Sequence, residues 1–162
     1  MTGAGGARGA GSGGAPFRAV HHVGVTVADL DRAAAFWTAL VGATARGRTV
    51  LQGPMLGTLV GYPGIHIERC WVDLPGGPAL ELLRYVGRED APYDAGTAHP
   101  GNVHVCLAVD DMDVAHAHAV ACGARPVSER PIDVAAGPLA GARLAYLRDP
   151  DGVTIELVQA PR

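Results

Sequence analysis

The chain has 162 residues, 48% of them hydrophobic, and a net charge of only −3 at neutral pH. That is enough for one domain, or two small packed halves, with a genuine core. The absence of a basic stripe or of interleaved aromatic and basic residues argues against a nucleic-acid partner, and no apolar run reaches membrane-spanning length.

Residues 1–16 begin MTGAGGARGAGSGGA. So much glycine and alanine, with no apolar stretch of the kind a secretory signal carries, reads as a flexible tail outside the fold. Val20–Val27 then alternates, with His22, Gly24 and Thr26 on one face of a strand and Val23, Val25 and Val27 on the other. A helix follows at once. Asp29 is its N-cap, Asp31 lies in its first turn, Gly42 stops it, and Leu30, Ala33, Ala34, Trp37, Leu40 and Val41 form an apolar stripe. Phe36 and Trp37 are therefore core residues. Ala43–Leu51 reads as a second strand, Gln52–Gly64 as a Gly/Pro-rich loop, and Ile65–Leu74 as a third strand. Pro75-Gly76-Gly77-Pro78 turns the chain back into a fourth strand, Ala79–Tyr85, on which Ala79, Glu81, Leu83 and Tyr85 share a face.

After a polar linker the pattern restarts. Val103–Val109 alternates with His104, Cys106 and Ala108 on one face, Asp111 caps a helix ending at Gly123, and Ala124–Ser128 is a short strand. Glu129–Gly141 reads as a loop. Arg143–Leu147 and Val153–Val158 form a hairpin around Asp149-Pro150-Asp151-Gly152, with Thr154, Glu156 and Val158 on one face. HVGVTVADLD at 22–31 thus returns as HVCLAVDDMD at 104–113, and ALELL returns as TIELV. Each half reads β-α-β-β-β.

A duplicated unit that supplies one histidine and one glutamate each time yields His22, Glu81, His104 and Glu156. Two carboxylates offset the charge of a divalent cation, and two imidazoles add directional bonds. A glutamate inside an apolar strand is costly unless paired or metal-bound, and here it happens twice at matching places. The expected cofactor is one divalent ion among Zn, Ni, Co, Mn and Fe. Of the other histidines, His21 points away from His22 and reads as structural, and His116 and His118 are helical and solvent-facing. His66 and His99 are candidate substrate contacts, and Glu68 with His66 could face the cup. The cysteines Cys70, Cys106 and Cys122 have no paired spacing. That pattern fits a reducing cytoplasm and small buried side chains, with Cys106 set apart by sharing the face of His104.

The motifs HHVGVTVADLDRAAAFWTALVG, LELL, HVCLAVDDMD and YLRDPDGVTIEL together resemble the vicinal oxygen chelate superfamily, the glyoxalase/bleomycin-resistance/extradiol-dioxygenase group. The resemblance covers residues 17–160. It implies an α+β fold of two tandem βαβββ modules, 17–86 and 102–160 with a linker at 87–101, forming a cupped mixed sheet around one metal. By position, His22, Glu81, His104 and Glu156 match the family's metal ligands. The closest types are the epimerases and glyoxalase I. The resemblance implies an isomerase that removes and returns a proton α to a metal-bound carbonyl, with Glu81 and Glu156 as the pair that moves protons. The substrate would be a small hydroxyketone such as a cyclitol ketone, or a methylmalonyl-CoA-like thioester. Lactoylglutathione lyase is the alternative, with Arg84, Arg143 and Arg148 as candidates for a carboxylate clamp; the same arginines and Arg69 are the nearby cations that the phosphates of a CoA thioester would need. An iron-dependent dioxygenase is disfavoured by Glu81, and a non-catalytic drug-binding module by the retained ligands. Members often pair, so a homodimer acting on a small molecule is expected.

Overall fold

The computed structural model describes residues 17–88 and 94–161. The tail at 1–16 and part of the linker at 87–101 lie outside those residues. The first unit runs β1 (His22–Thr26), α1 (Leu30–Val41), β2 (Ala45–Leu51), α2 (Pro54–Val60), β3 (His66–Asp73) and β4 (Ala79–Val86). The second runs β5 (His104–Ala108), α3 (Met112–Ala121), β6 (Arg125–Pro126), β7 (Ile132–Asp133), β8 (Arg143–Arg148) and β9 (Thr154–Gln159).

Each unit builds its own mixed sheet, in the order β1-β4-β3-β2 and β5-β9-β8-β6, with β7 paired to β8. The α+β class and the two βαβββ modules expected from the repeat are what the chain folds into. In both sheets the histidine-bearing strand pairs in parallel with the glutamate-bearing strand, and that strand pairs antiparallel with its hairpin partner. A parallel pair needs a crossover, and α1 and α3 begin the return.

Local signals explain the helices. Asp29 accepts from the Arg32 amide at 3.0 Å, and Asp111 accepts from the Asp113 and Val114 amides, satisfying donors that a helix start leaves open. The first of these hydrogen bonds holds the Asp29 carboxyl below its ordinary range. Gly42 takes the left-handed conformation that ends α1.

The sequence reading missed one helix. Gln52–Gly64 is not all loop: Pro54–Val60 forms α2. Glycines at 53, 57 and 61 hid it, yet proline is well placed in a first helical turn, where its missing N–H costs nothing. The small strand β7 inside Glu129–Gly141 was missed too, because two residues carry no periodicity.

One core serves both units. Val25, Cys70, Val72, Leu80 and Leu82 from the first sheet, Ala145, Leu147, Ile155 and Leu157 from the second, and Leu30, Phe36, Trp37, Met112 and Ala119 from the helices belong to a single buried cluster. Phe36 and Trp37 are core, as their helical stripe demands. Trp37 also ties the halves together: its indole N–H donates to the Asp149 carboxylate at 3.3 Å, in the turn between β8 and β9. Arg32 reaches Asp151 in that turn at 2.5 Å, and His118 Nε2 lies 3.1 Å from the carbonyls of Ala39 and Leu40 at the end of α1.

This shared core decides where the remaining faces go. Strand side chains alternate, so residues between the core positions point away from it. His22 and Glu81 project from the outer face of one sheet, and His104 and Glu156 from the outer face of the other.

Candidate active site

On the first outer face the parallel register sets Gly24 beside Glu81 and His22 beside Ala79. The imidazole and carboxylate still meet, with His22 Nε2 at 3.2 Å from Glu81 Oε2. On the second face Cys106 lies beside Glu156, and His104 Nε2 is 2.9 Å from Glu156 Oε2. The histidines are about two-fifths exposed, at 38% and 40%, and the carboxylates nearly covered, at 13% and 17%. Two donors bound about 2.1 Å from one cation at a right angle lie roughly 3 Å apart. Both pairs therefore have the spacing of adjacent ligands as well as that of a hydrogen bond. The donor chemistry fits a divalent ion.

The four residues do not converge within one chain. Among the described residues no third His, Cys, Asp or Glu joins either pair in an arrangement able to hold a metal. The shared core accounts for this, because it turns the faces that carry both His–Glu pairs outward.

The surroundings of the two pairs differ. An aromatic stands opposite each glutamate on the hairpin strand, Trp71 for Glu81 and Tyr146 for Glu156. Trp71 meets His22 edge-on with centroids 5.2 Å apart, and Tyr146 lies tilted against His104 at 5.6 Å. Two residues before Trp71 is Arg69, whose Nη1 is 3.4 Å from Glu81 Oε1 and whose guanidinium lies 5.2 Å from the Trp71 ring centre. The matching residue before Tyr146 is Leu144. Cys106 is exposed. Partial desolvation, then the charge and hydrogen bond of Glu156, push its thiol up to about 11, so it stays protonated at neutral pH. The Tyr146 hydroxyl is raised as well, by desolvation first and the Glu156 charge second.

The helix α2 limits the first face. Leu56, Ile65 and Ile67 form a second small core with Leu51, Leu83 and Tyr85. It covers the far end of that face and leaves the region of His22, Glu81, Arg69 and Trp71 uncovered. Past Trp71 an open groove of about 960 Å³ continues along Phe17, His21, Arg46 and Asp73.

Other sequence candidates fall elsewhere. Glu68 pairs with Arg84 at 3.0 Å on the helix-facing side of the sheet, and His66 shares its parity, so neither faces the cup. Their strand begins one residue later than the pattern suggested, and only the pairing register reveals the side. Arg143 is engaged by Asp113 and Asp133, and Arg148 by Ala95, Gly152 and Thr154. His99 lies against Asp94 at 3.5 Å, in a loop held to β8 by Arg148 through the Ala95 carbonyl. His21 does not point away from His22, as strand alternation suggested: their Nδ1 atoms are 2.8 Å apart and its ring also meets Trp71 edge-on at 6.3 Å, because β1 begins only at His22 and alternation does not extend back to His21. The cysteines divide: Cys70 is buried, Cys122 half-buried, and Cys106 exposed against the expectation for a small apolar residue. Trp71 is the neighbour of Glu81 that sequence reasoning passed over, and Arg69, named only as a nearby cation, turns out to lie beside that carboxylate. Their signal was the parity shared with Glu81 across the Pro75–Pro78 turn.

The sequence model of the glyoxalase/bleomycin resistance protein/dioxygenase superfamily matches residues 21–146. The chain belongs to that superfamily. It is 32% identical over 148 residues to a 2-epi-5-epi-valiolone epimerase from an Actinomyces species, covering 88% of this chain and 80% of the relative. It is 30% identical over 141 residues to a probable lactoylglutathione lyase from Vibrio parahaemolyticus, covering 85% and 88%. Among solved structures, a glyoxalase family protein from Bacillus cereus superposes with a TM-score of 0.77 at 23% identity, covering 93% of this chain and 99% of that one; this likeness shows the fold. Both sequence relatives are named as enzymes, which supports an isomerase- or lyase-type activity. No helix among the described residues is long and apolar enough to cross a membrane.

Proposed function

We propose that the protein is a metal-dependent epimerase or isomerase acting on a small carbonyl compound, with a hydroxyketone such as a cyclitol ketone as the first substrate class and a methylmalonyl-CoA-like thioester as the second. The observation that carries the reading is the duplicated His–Glu pair, set twice at ligand spacing on an outward strand face. His22 and Glu81 would hold one side of a divalent ion (Zn, Ni, Co, Mn or Fe), and His104 and Glu156 the other. Such an ion supplies Lewis-acid stabilisation of negative charge on a carbonyl oxygen. Glu156 and Glu81 take the proton from the α-carbon and return it. Trp71 and Tyr146 wall the site on either side and exclude water.

Because the two pairs face outward, we infer that the complete site forms between two copies of the chain. A twofold axis would set His22 and Glu81 of each copy against His104 and Glu156 of the other, giving two equal sites per dimer. Two further observations support this. The histidine-bearing strands β1 and β5 are each at the edge of their sheet, and an open edge is a template for pairing with another chain. The residues leading into those edges, Phe17, Val20 and Val103, are 85%, 69% and 66% exposed, an apolar margin that an interface would cover.

The reading is tested by metal analysis followed by α-proton exchange in D₂O, using chelated and reloaded protein with a cyclitol ketone and with methylmalonyl-CoA. One ion per chain and metal-restored exchange are expected. Metal without exchange on either compound would move the activity to hemithioacetals, the lyase reading supported by the Vibrio relative. Protein that takes up no metal contradicts the proposal.

A further inference from the structure

Arg69 breaks the symmetry between the two half-sites. Its register partner on β4 is Leu83, and on the second sheet the equivalent place is held by Leu144, opposite Val158. The fold is thus satisfied by an apolar residue there, and the cation in the first module calls for its own explanation. Ion pairing with Glu81 is a weak one. The 3.4 Å contact is long for a charge-assisted hydrogen bond, which closes to about 2.7–2.9 Å. It is also the single protein acceptor Arg69 touches among the described residues, and its Nε is buried with no acceptor at all.

A guanidinium carries five donors in a planar fork, so most of this one's capacity is unspent. A buried donor without a partner costs free energy, and the present pose retains that cost. The Trp71 ring lies under the guanidinium carbon at 5.2 Å, within cation–π range, and leaves the fork's donors free for a planar acceptor pair. A quarter of the side chain, 25%, stays open on the face that carries Glu81.

We propose that Arg69 is the substrate-orienting residue of this site: it takes an acceptor pair on the substrate, either a carboxylate or two neighbouring hydroxyls. The polar arm of the substrate then lies over the first module's sheet, and its carbon skeleton faces the second module of the other copy, where the place of Arg69 is taken by a leucine. This rests on the reading of the site as one that holds a divalent ion, and the test separates the two.

Three hydroxamates of equal chain length serve as probes, since each presents the same two vicinal oxygens to a metal. Butyrohydroxamate ends in a methyl group, succinic monohydroxamate in a carboxylate, and 3,4-dihydroxybutyrohydroxamate in a diol. Their binding is measured calorimetrically on metal-loaded protein, alongside metal binding itself, for the wild type, Arg69→Met and Arg69→Lys. The wild type should prefer the carboxylate or the diol over the methyl compound by about tenfold or more, the scale of a charge-assisted contact, and the preferred probe identifies the arm. Arg69→Met should erase the preference while metal stoichiometry and butyrohydroxamate affinity persist. Arg69→Lys, which keeps the charge and loses the fork, should retain part of it and also shows that the position tolerates change. A wild type with no preference, or one that survives Arg69→Met, overturns the role of Arg69 and leaves the metal reading standing. Wild-type protein that binds no metal overturns both.

Discussion

The two modules share a plan and differ in what surrounds it. Aligned by their histidines, Trp37 of α1 corresponds to Ala119 of α3 and Phe36 to His118; aligned by their glutamates, Leu74 corresponds to Asp149, Trp71 to Tyr146 and Arg69 to Leu144. The His–Glu pairs repeat while their neighbours diverge. The large side chain that locks the core comes from the first module, and the carboxylate that receives its indole N–H comes from the second. The charged arm beside the site comes from the first, the thiol and phenol from the second. A duplicated fold can therefore offer symmetric ligands to an ion and an asymmetric cup to a substrate, which a reaction needs if it is to tell one end of a molecule from the other.

If the modules are equal as ligand donors, losing a ligand from either should be equally severe. His22→Ala and His104→Ala should each weaken metal binding by more than about 100-fold, since even residues that only support ligands are worth 10–100-fold. Competition against a chelator of known affinity measures both. A large gap between the two would break the equivalence.

The core comparison predicts the opposite. Trp37 is fully buried and bridges the modules, so Trp37→Ala should cost about 3–5 kcal/mol of stability in urea unfolding. Ala119, its counterpart, is also buried, yet Ala119→Gly removes one methyl group and should cost only about 1 kcal/mol. Similar losses at the two positions would show that Trp37 is not the lock.

A subtler contrast lies at Gly47, in the register shift of β2. Its φ of +62° is in the left-handed region, and a Cβ there would come 2.9 Å from Trp71 Cδ1. Gly47→Ala should cost about 1–2 kcal/mol from its backbone alone and displace Trp71, visible as a change in tryptophan fluorescence. Unchanged emission together with wild-type stability would contradict the close approach.

The smallest effect is one of pH. Burial raises the Asp149 carboxyl above its ordinary value, against the opposing hydrogen bonds from the Val153 and Asp151 amides. A carboxyl that holds its proton more tightly in the folded chain favours the fold when protonated. Its contribution therefore falls as pH rises from the unfolded value of about 3.9 through the raised folded one. Leu74, the matching residue of the first module, has no such group. Asp149→Asn should flatten this part of the stability–pH curve when compared with the wild type, and an unchanged slope would count against it.

Much of this architecture was legible in the sequence because strand alternation and helix caps are local. Asp29, Asp111 and Gly42 marked helix ends that the structure keeps, and the doubled His–Glu pattern led to both contacts at hydrogen-bonding distance. What stayed hidden depends on long-range placement. Periodicity shows that His22 and His104 lie on the less apolar faces of their strands, but not that one core behind both sheets would turn those faces away from each other. The side on which Glu68 and Arg69 point was equally hidden, since a one-residue change in strand register exchanges the faces. The helix α2 was concealed because glycine and proline, read as breakers, here sit at its start and its close-packed middle.

The shared site is tested most directly by mixing two broken chains. His22→Ala and Glu156→Ala are each expected to lose metal and turnover. In a mixed dimer, both lesions fall in one site, and the other receives intact His22 and Glu81 from one chain and intact His104 and Glu156 from its partner. Random exchange places half of the dimers in this mixed form, so metal binding and turnover should recover to about a quarter of the wild-type level. No recovery in a mixture shown by mass spectrometry to contain the mixed dimer would contradict the account.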